Sequence, residues 1–274
     1  VQDFIDRQDS SDIKEFVKKI VSKSLKIGIT SKTVNKAYPE NTIPSFSVML
    51  AESYEKKESK LSGTFYVTQK LDGNRVIGIN GEDGVKFFTR SGMPIEGMAQ
   101  LEKELSTLPT GWVFDGEVLL INDKNLSSDD LFRATQRVIR KDGEKNNLEF
   151  HVFDSLLLTE FKIGMSIKTY AQRRNNLELV FNNFNGNFIK LLPVLYKGED
   201  KGMISVLMKY AEEKEWEGLM VNTTHGLYQS KRTSDLLKVK KFKSADLACI
   251  GIEEGLGKNE GKLGALMLSY KDGV

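Results

Sequence analysis

The chain has 274 residues, 39% hydrophobic and 28% charged, with 40 basic and 38 acidic side chains giving a net charge of +2. This composition supplies a core and excludes a disordered chain, and the length suits two compact units or one unit with additions. There is no run of 18 apolar residues, so no membrane span is expected, and Asp3, Asp6, Asp9 and Asp12 interrupt any signal-peptide pattern.

In chain order, the first element is an amphipathic helix over Asp12–Leu25, with Asp12 as cap and Glu15 as its reciprocal partner. Ile13, Phe16, Val17, Ile20 and Val21 fall on one face. A short helix is expected near Thr33 and another over Phe46–Tyr54, and the charged stretch Glu55–Lys60 reads as a linker. Strands are expected at Thr64–Gln69, Arg75–Ile79, Val85–Thr89, Trp112–Ile121, Leu148–Phe153, Gly218–Asn222 and Leu236–Val239. Helices are expected at Met98–Leu108, Ser128–Lys141, Tyr170–Phe184 and Met203–Lys214. The strands often follow one another directly, which favours an α+β fold with a largely antiparallel sheet. After Lys243, Ala245–Gly251 and Ala265–Tyr270 read as strands around a glycine-rich loop, Gly255–Gly261, that is neither a Walker loop nor a dinucleotide loop. A strand segment of this length is too short to close a barrel.

The single cysteine, Cys249, excludes an internal disulfide and a cysteine-built zinc site, and its apolar setting predicts a buried strand residue. His151 and His225 are too few for most metal cages, and His151 lies in an apolar strand pattern that predicts a structural role. These features point to a reducing, intracellular compartment. The near-zero net charge does not announce nucleic-acid binding, but phosphate recognition needs only local positive potential. Basic clusters lie at Lys18–Lys26, Arg133–Lys141 and Lys231–Lys243. On the helix Ser128–Lys141, Arg133, Arg137, Arg140 and Lys141 share one face, as a DNA contact or a solvated face.

The chemistry concentrates in Lys70-Leu-Asp-Gly-Asn-Arg75, between two strands. A lysine at a strand edge beside an acid, a glycine and an arginine is placed to attack phosphorus, although Asp-Gly alone also marks an ordinary hairpin turn. Downstream, Phe114-Asp-Gly-Glu117 offers Glu117 for ribose hydroxyls or a metal. Val152-Phe-Asp154 offers Phe153 as a platform for a base. Glu217-Gly-Leu-Met-Val221 places Glu217 at a strand start, suited to Mg²⁺. Leu237-Lys-Val-Lys240 turns Lys238 and Lys240 to one face, toward one phosphate. Taken singly, Phe153 reads as core, Asp115-Gly116 as a turn and the two lysines as a solvated face; their order and chemical fit together separate them from chance.

In this order the five segments resemble the nucleotidyltransferase motifs of ATP-dependent DNA ligases. Leu25–Val34 resembles the helical lead-in of the cellular and viral enzymes, and Gly255–Met267 the start of their OB-fold domain. The resemblance implies a helical, DNA-binding segment over residues 1–60, an antiparallel-sheet adenylation domain over 61–243, and an incomplete C-terminal OB-fold over 244–274. It implies nick sealing in three steps: Lys70 forms a lysyl-AMP from ATP with Mg²⁺, AMP passes to the 5′-phosphate of nicked double-stranded DNA, and the 3′-hydroxyl displaces it. By motif position, Thr68 and the Lys70 backbone would contact adenine, Phe153 would stack on it and Glu117 would hold the ribose. Arg75 and Arg90 would bind phosphate or ribose and the nick 5′-phosphate, Glu217 the metal, and Lys238 and Lys240 the α-phosphate. Asp72 would assist at the metal or the 3′-hydroxyl, and Arg232 would make a supporting ion pair. A free lysine is protonated at neutral pH, so Lys238, Lys240 and Mg²⁺ would have to disfavour its charged form. The family's final basic motif, which acts on the β- and γ-phosphates, is not found, so this chain is expected to form lysyl-AMP poorly or not at all while still holding ATP or AMP. A monomeric intracellular protein with no membrane partner, in cytoplasm, nucleoid or nucleus and of cellular or viral origin, is the corresponding expectation. RNA ligases and GTP-dependent capping enzymes share the lysine motif, and a non-catalytic nucleotide- or DNA-binding module is the other alternative. NAD⁺-dependent ligases share it too, but carry a four-cysteine zinc site that one cysteine disfavours.

Overall fold

A computed structural model describes residues 2–8, 10–22, 33–34, 37–38, 46–240 and 246–269. The elements are, in order, α1 (Gln2–Asp6), α2 (Ser11–Val21), β1 (Leu50–Ser53), α3 (Tyr54–Lys57), β2 (Phe65–Lys70), β3 (Asn74–Gly81), β4 (Gly84–Thr89) and β5 (Pro94–Ile95). There follow α4 (Ala99–Leu105), β6 (Trp112–Leu120), α5 (Ser128–Arg140), β7 (Leu148–Leu157), α6 (Leu158–Ile163), β8 (Met165–Thr169), α7 (Tyr170–Phe181), β9 (Ile189–Leu191) and β10 (Val194–Gly198). The last are α8 (Gly202–Glu213), β11 (Gly218–Thr223), β12 (Leu227–Gln229), β13 (Arg232–Lys240), β14 (Ala248–Glu254) and β15 (Leu263–Ser269).

Among the described residues two large sheets form, ordered β1-β13-β11-β2-β10 and β5-β4-β3-β6-β7-β9. Pairing is antiparallel except for β1 with β13 and β7 with β9, which agrees with the expected α+β, largely antiparallel fold. Period-two alternation sorts each strand between two environments. In β2, β11 and β13, Phe65, Val67, Leu219, Val221 and Leu237 face a core under α8 with Ile204 and Ala211. In β3, β6 and β7, Val76, Phe114, Val118, Phe150 and Val152 face a second core under α4 and α7. The opposite faces meet each other through Val48, Met49, Ile77, Val113, Leu156, Tyr228 and Leu236. Both sheets are thus covered on their outer faces and turn the remaining side chains toward a shared interior. Among the described residues, no helix is long and apolar enough to cross a membrane.

Several expectations change. The helix expected over Phe46–Tyr54 is instead an extended segment leading into β1. Adjacent Val48 and Met49 are both buried between the sheets, as in an extended chain enclosed on two sides. The linker expected at Glu55–Lys60 is helical, α3 followed by a 3-10 turn at Glu58–Lys60, with Tyr54 donating to Glu58 at 3.1 Å. Because β1 pairs with β13, residues 50–53 share a sheet with β2, and the boundary expected at 60–61 falls too late. Helix α2 is capped by Ser10, whose Oγ accepts from Ile13 N at 3.2 Å, rather than by Asp12. Its Ile13, Phe16, Ile20 and Val21 are exposed among the described residues. Most of the segment expected to form a helix near Thr33, and the lead-in over Leu25–Val34, lie outside the described residues. β14 and β15 pair with each other, and Cys249 is exposed there rather than buried, because no second layer covers that hairpin among the described residues.

Candidate active site

The floor of the interior is written in the register of three strands. Lys70 on β2 lies opposite Gly218 on β11, which lies opposite Lys240 on β13. The next row inward is Thr68, Met220 and Lys238, and the next Tyr66, Asn222 and Leu236. Gly218 sits at φ +147°, and a Cβ there would fall 2.1 Å from the Val239 carbonyl oxygen. Only glycine fits between the two lysines. The residue before it, Glu217, accepts hydrogen bonds from both Lys70 and Lys240.

The roof comes from β3, β6 and β7. Asp115 and Glu117 alternate with core residues Phe114 and Val118 and so face the floor. Between β6 and β7, Asp115 pairs with Asp154 but Gly116 with Val152, which leaves Phe153 as the extra residue of a bulge. The bulge turns two consecutive side chains, Phe153 and Asp154, into the interior. Gly116 allows this approach, since a Cβ there would lie 2.5 Å from both the His151 carbonyl oxygen and the Phe150 ring.

Arg75 reaches from β3 to Asp115 on β6 in a fork, at 2.9 Å from Nε and 2.6 Å from Nη2, and donates to the Met49 carbonyl at 2.7 Å. Its guanidinium stands 5.3 Å from the centre of the Phe153 ring. Tyr228 donates to Asp115 at 2.9 Å and accepts from Met49 N at 3.3 Å. A parallel fork joins Arg173 on α7 to Asp154, at 2.8 and 2.9 Å. Two buried ion pairs therefore fix the roof from below and behind.

These walls enclose a cavity of about 300 Å³ whose lining includes Thr68, Lys70, Arg75, Arg90, Glu117, Phe153, Lys238 and Lys240. Those eight expected site residues converge. Asp72 and Glu217 line a neighbouring cavity of about 260 Å³ that shares Lys70 with the first. Arg232 lines the main cavity but donates to the Ala51 carbonyl, an acceptor without charge, instead of forming the expected ion pair. Arg133, Arg137, Arg140 and Lys141 lie away from both cavities, exposed along α5 and at its C-cap. The sequence reading missed Tyr170, Asn222 and Tyr228, which also line the main cavity. Asn222 sits in phase with Met220 on the alternating strand, a signal that was present; nothing local marks Tyr170 or Tyr228.

Burial pushes the Glu117 carboxyl up to about 8, with Asp115 and Glu217 adding to the effect against the charges of Arg75 and Lys70. Burial also raises Asp72, helped by the neighbouring Glu217. For Glu217 burial acts upward too, but hydrogen bonds and charge from Lys240 and Lys70 prevail and hold it below its usual value. The site therefore pairs one carboxyl that keeps its proton near neutral pH with one that gives it up readily.

Two largely antiparallel sheets closing over a lysine, with an aromatic platform on one wall and cations on the other, define a nucleotide-handling cleft. Residues 48–240 match the model of the ATP dependent DNA ligase domain, and the chain belongs to that family. It is 28% identical over 229 residues to a probable DNA ligase of Rhodococcus opacus (strain B4), covering 81% of this chain and 43% of the relative. It is 22% identical over 281 residues to the DNA ligase of Enterobacteria phage T4, covering 87% and 57%. A solved structure named Pmar-Lig_Pre superposes with a TM-score of 0.80 at 28% identity, covering 93% of this chain and 61% of that one. An ATP-dependent DNA ligase from bacteriophage T7 in complex with ATP shares the fold at a TM-score of 0.56 and 18% identity, over 82% and 80%. The chain spans 42% to 57% of the length of the curated relatives it matches.

Proposed function

We propose that the protein seals nicks in duplex DNA through a covalent lysyl-AMP, with ATP as donor and Mg²⁺ as cofactor. One observation carries the reading: Lys70, Arg75, Arg90, Lys238 and Lys240 converge with Phe153 and Glu117 on one cavity. Lys70 Nζ attacks the α-phosphorus of ATP, and the bond to pyrophosphate breaks as the P–N bond forms. AMP then passes to the nick 5′-phosphate, and the 3′-hydroxyl joins the strands and releases AMP. Lys238 and Lys240 neutralise the α-phosphoryl oxygens. Phe153 stacks on adenine, Thr68 and the Lys70 backbone contact its edge, and Glu117 holds the ribose. Arg75 supports the platform, and Arg90, exposed at the rim, receives the nick phosphate. Asp72, in the adjoining cavity, serves the 3′-hydroxyl side.

Among the described residues there is no group of three or more side chains able to cage a metal. Mg²⁺ needs only one or two carboxylates together with substrate phosphates. Glu217, ionised and beside Lys70, fits that need, and Glu117 offers a second oxygen donor. Bound there, Mg²⁺ would supply charge neutralisation to the phosphates. Lys70 leaves the Glu217 carboxylate before attack, because that contact stabilises the ammonium.

Residues 1–45 serve as a DNA-binding lead-in and residues 246–269 as the start of an OB-fold. The enzyme acts as an intracellular monomer, and the phage T4 and T6 ligases among its relatives support a viral origin. The exposed arginines of α5 supply phosphate contacts. Replacing Arg133 and Arg137 by Gln is expected to flatten the dependence of log Kd on log salt by roughly 0.9 for each phosphate no longer neutralised. An unchanged slope in a fluorescence titration with nicked duplex would return them to a solvated face.

The test of the main reading is incubation with α-labelled ATP, GTP or NAD⁺ and Mg²⁺, followed by denaturing electrophoresis. Whatever label forms is expected from ATP alone and is expected to be absent in Lys70→Ala. Label that survives in Lys70→Ala would overturn the nucleophile, and label from GTP or NAD⁺ the cofactor.

A further inference from the structure

The main cavity is graded along the floor strands. Its lysine row, Lys70 and Lys240, gives way to Thr68, Met220 and Lys238, and then to Asn222 and Leu236. Four residues of strand separate the first row from the third, about 13 Å. The lysines are therefore confined to one end, and at the far end the nearby charges Arg173 and Asp154 are tied to each other in a buried ion pair. There the lining includes Tyr170, the first residue of α7.

Tyr170 is only 2% exposed, and its hydroxyl has no hydrogen-bond partner. A buried hydroxyl without a partner costs about 1–3 kcal/mol. Its ring cannot swing away to find one. It packs edge-on against Tyr66 at 5.2 Å, lies 5.7 Å from the Arg173 guanidinium, and its backbone N–H is held by the Gly226 carbonyl at 2.7 Å. Arg173 is itself locked to Asp154, the residue beside Phe153. The arrangement holds an unpartnered hydroxyl on a residue that lines the same cavity as Phe153, at the end away from Lys70 and Lys240.

Resting on the proposed function, we infer that Tyr170, with Asn222 beside it, reads the 6-position of the purine base and is a specificity-determining residue for the nucleotide. The Tyr170 hydroxyl accepts a hydrogen bond from the exocyclic 6-amino group, and the Asn222 carboxamide meets the adjoining ring edge. The ligand class is a 6-aminopurine mononucleotide, its phosphate at the lysine row and its base edge at Tyr170.

The experiment compares AMP with purine riboside 5′-monophosphate, which lacks the 6-amino group, by calorimetry on the parent protein, Tyr170→Phe and Asn222→Ala. The parent is expected to favour AMP by about tenfold, the worth of one neutral hydrogen bond. Tyr170→Phe is expected to bring that preference within about twofold by weakening AMP alone, and to melt no lower than the parent, since it removes an unpartnered group. Asn222→Ala is expected to weaken both ligands alike. An undiminished preference in Tyr170→Phe, or no AMP binding by the parent, overturns the inference. Binding needs no turnover, so a parent that favours AMP in this way yet takes no label from ATP upholds the base reading and counts instead against lysyl-AMP formation by this chain alone.

Discussion

Asp115→Ala is expected to lower the unfolding free energy by about 3–5 kcal/mol in a urea titration near neutral pH, because it strands a charge as well as removing a hydrogen-bond acceptor. Asp115 is fully buried and receives the Arg75 fork and the Tyr228 hydroxyl. Burial works to lower the Arg75 pKa, and the Asp115 carboxylate more than reverses it, so the guanidinium is raised above its usual value. Without Asp115 that cation keeps the Met49 carbonyl as its hydrogen-bond acceptor. The double change Asp115→Leu with Arg75→Met is expected to recover most of the loss, since a well-packed apolar pair of similar volume often equals a buried ion pair in stability. A single-variant loss below about 1 kcal/mol would mean that water reaches the pair. Nucleotide affinity should fall in both variants, because Arg75 no longer stands over Phe153.

The importance of Asp115 was only half legible in the sequence. Asp115-Gly116 reads locally as a turn, yet both residues lie in the middle of β6, where Gly116 admits Phe150 and Asp115 faces the cavity. The strands that carry the floor were legible because Phe65, Val67, Leu219, Val221 and Leu237 alternate with Thr68, Met220 and Lys238 at period two. That pattern also placed Lys238 and Lys240 on one face correctly. What periodicity misses is contact made between sheets. Tyr228 lies on a three-residue strand and Tyr170 at a helix start, and each reaches the cavity through packing of segments far apart in sequence. β1 was missed for a related reason: four half-buried residues in a parallel edge pairing with a register shift have no alternation to show. The bulge at Phe153 is likewise invisible without its partner strand, although the aromatic residue itself was correctly singled out.

Glu117 yields the clearest pH signature. Its carboxyl is raised from 4.5 to about 8, chiefly by burial. Between those values the folded protein binds a proton that the unfolded chain does not, so this group makes stability fall as pH rises, by up to about 1.4 kcal/mol per pH unit. The contribution is fully favourable below pH 4.5 and is lost by the time pH passes about 8. Glu117→Gln keeps the shape and the neutral form and cannot ionise. The variant is expected to gain on the parent as pH is raised from 5 to 8, by roughly 2–4 kcal/mol over that span. The two urea midpoints should sit close together at pH 5 and separate steadily above it. Parallel curves for parent and variant would show that Glu117 ionises freely in the folded state and that solvent reaches it through the cavity. In the proposed reaction the same property divides labour between two acids. Glu217, held low by two lysines, is the carboxylate available to a cation at neutral pH, and Glu117, still protonated there, can donate to a ribose oxygen as well as accept from one. Nucleotide binding by the parent should therefore take up little or no proton at Glu117 at pH 7, while a cation at Glu117 would have to expel one. Calorimetry in two buffers of different ionisation enthalpy separates these outcomes, and proton release that vanishes in Glu117→Gln would assign the cation to Glu117 rather than to Glu217.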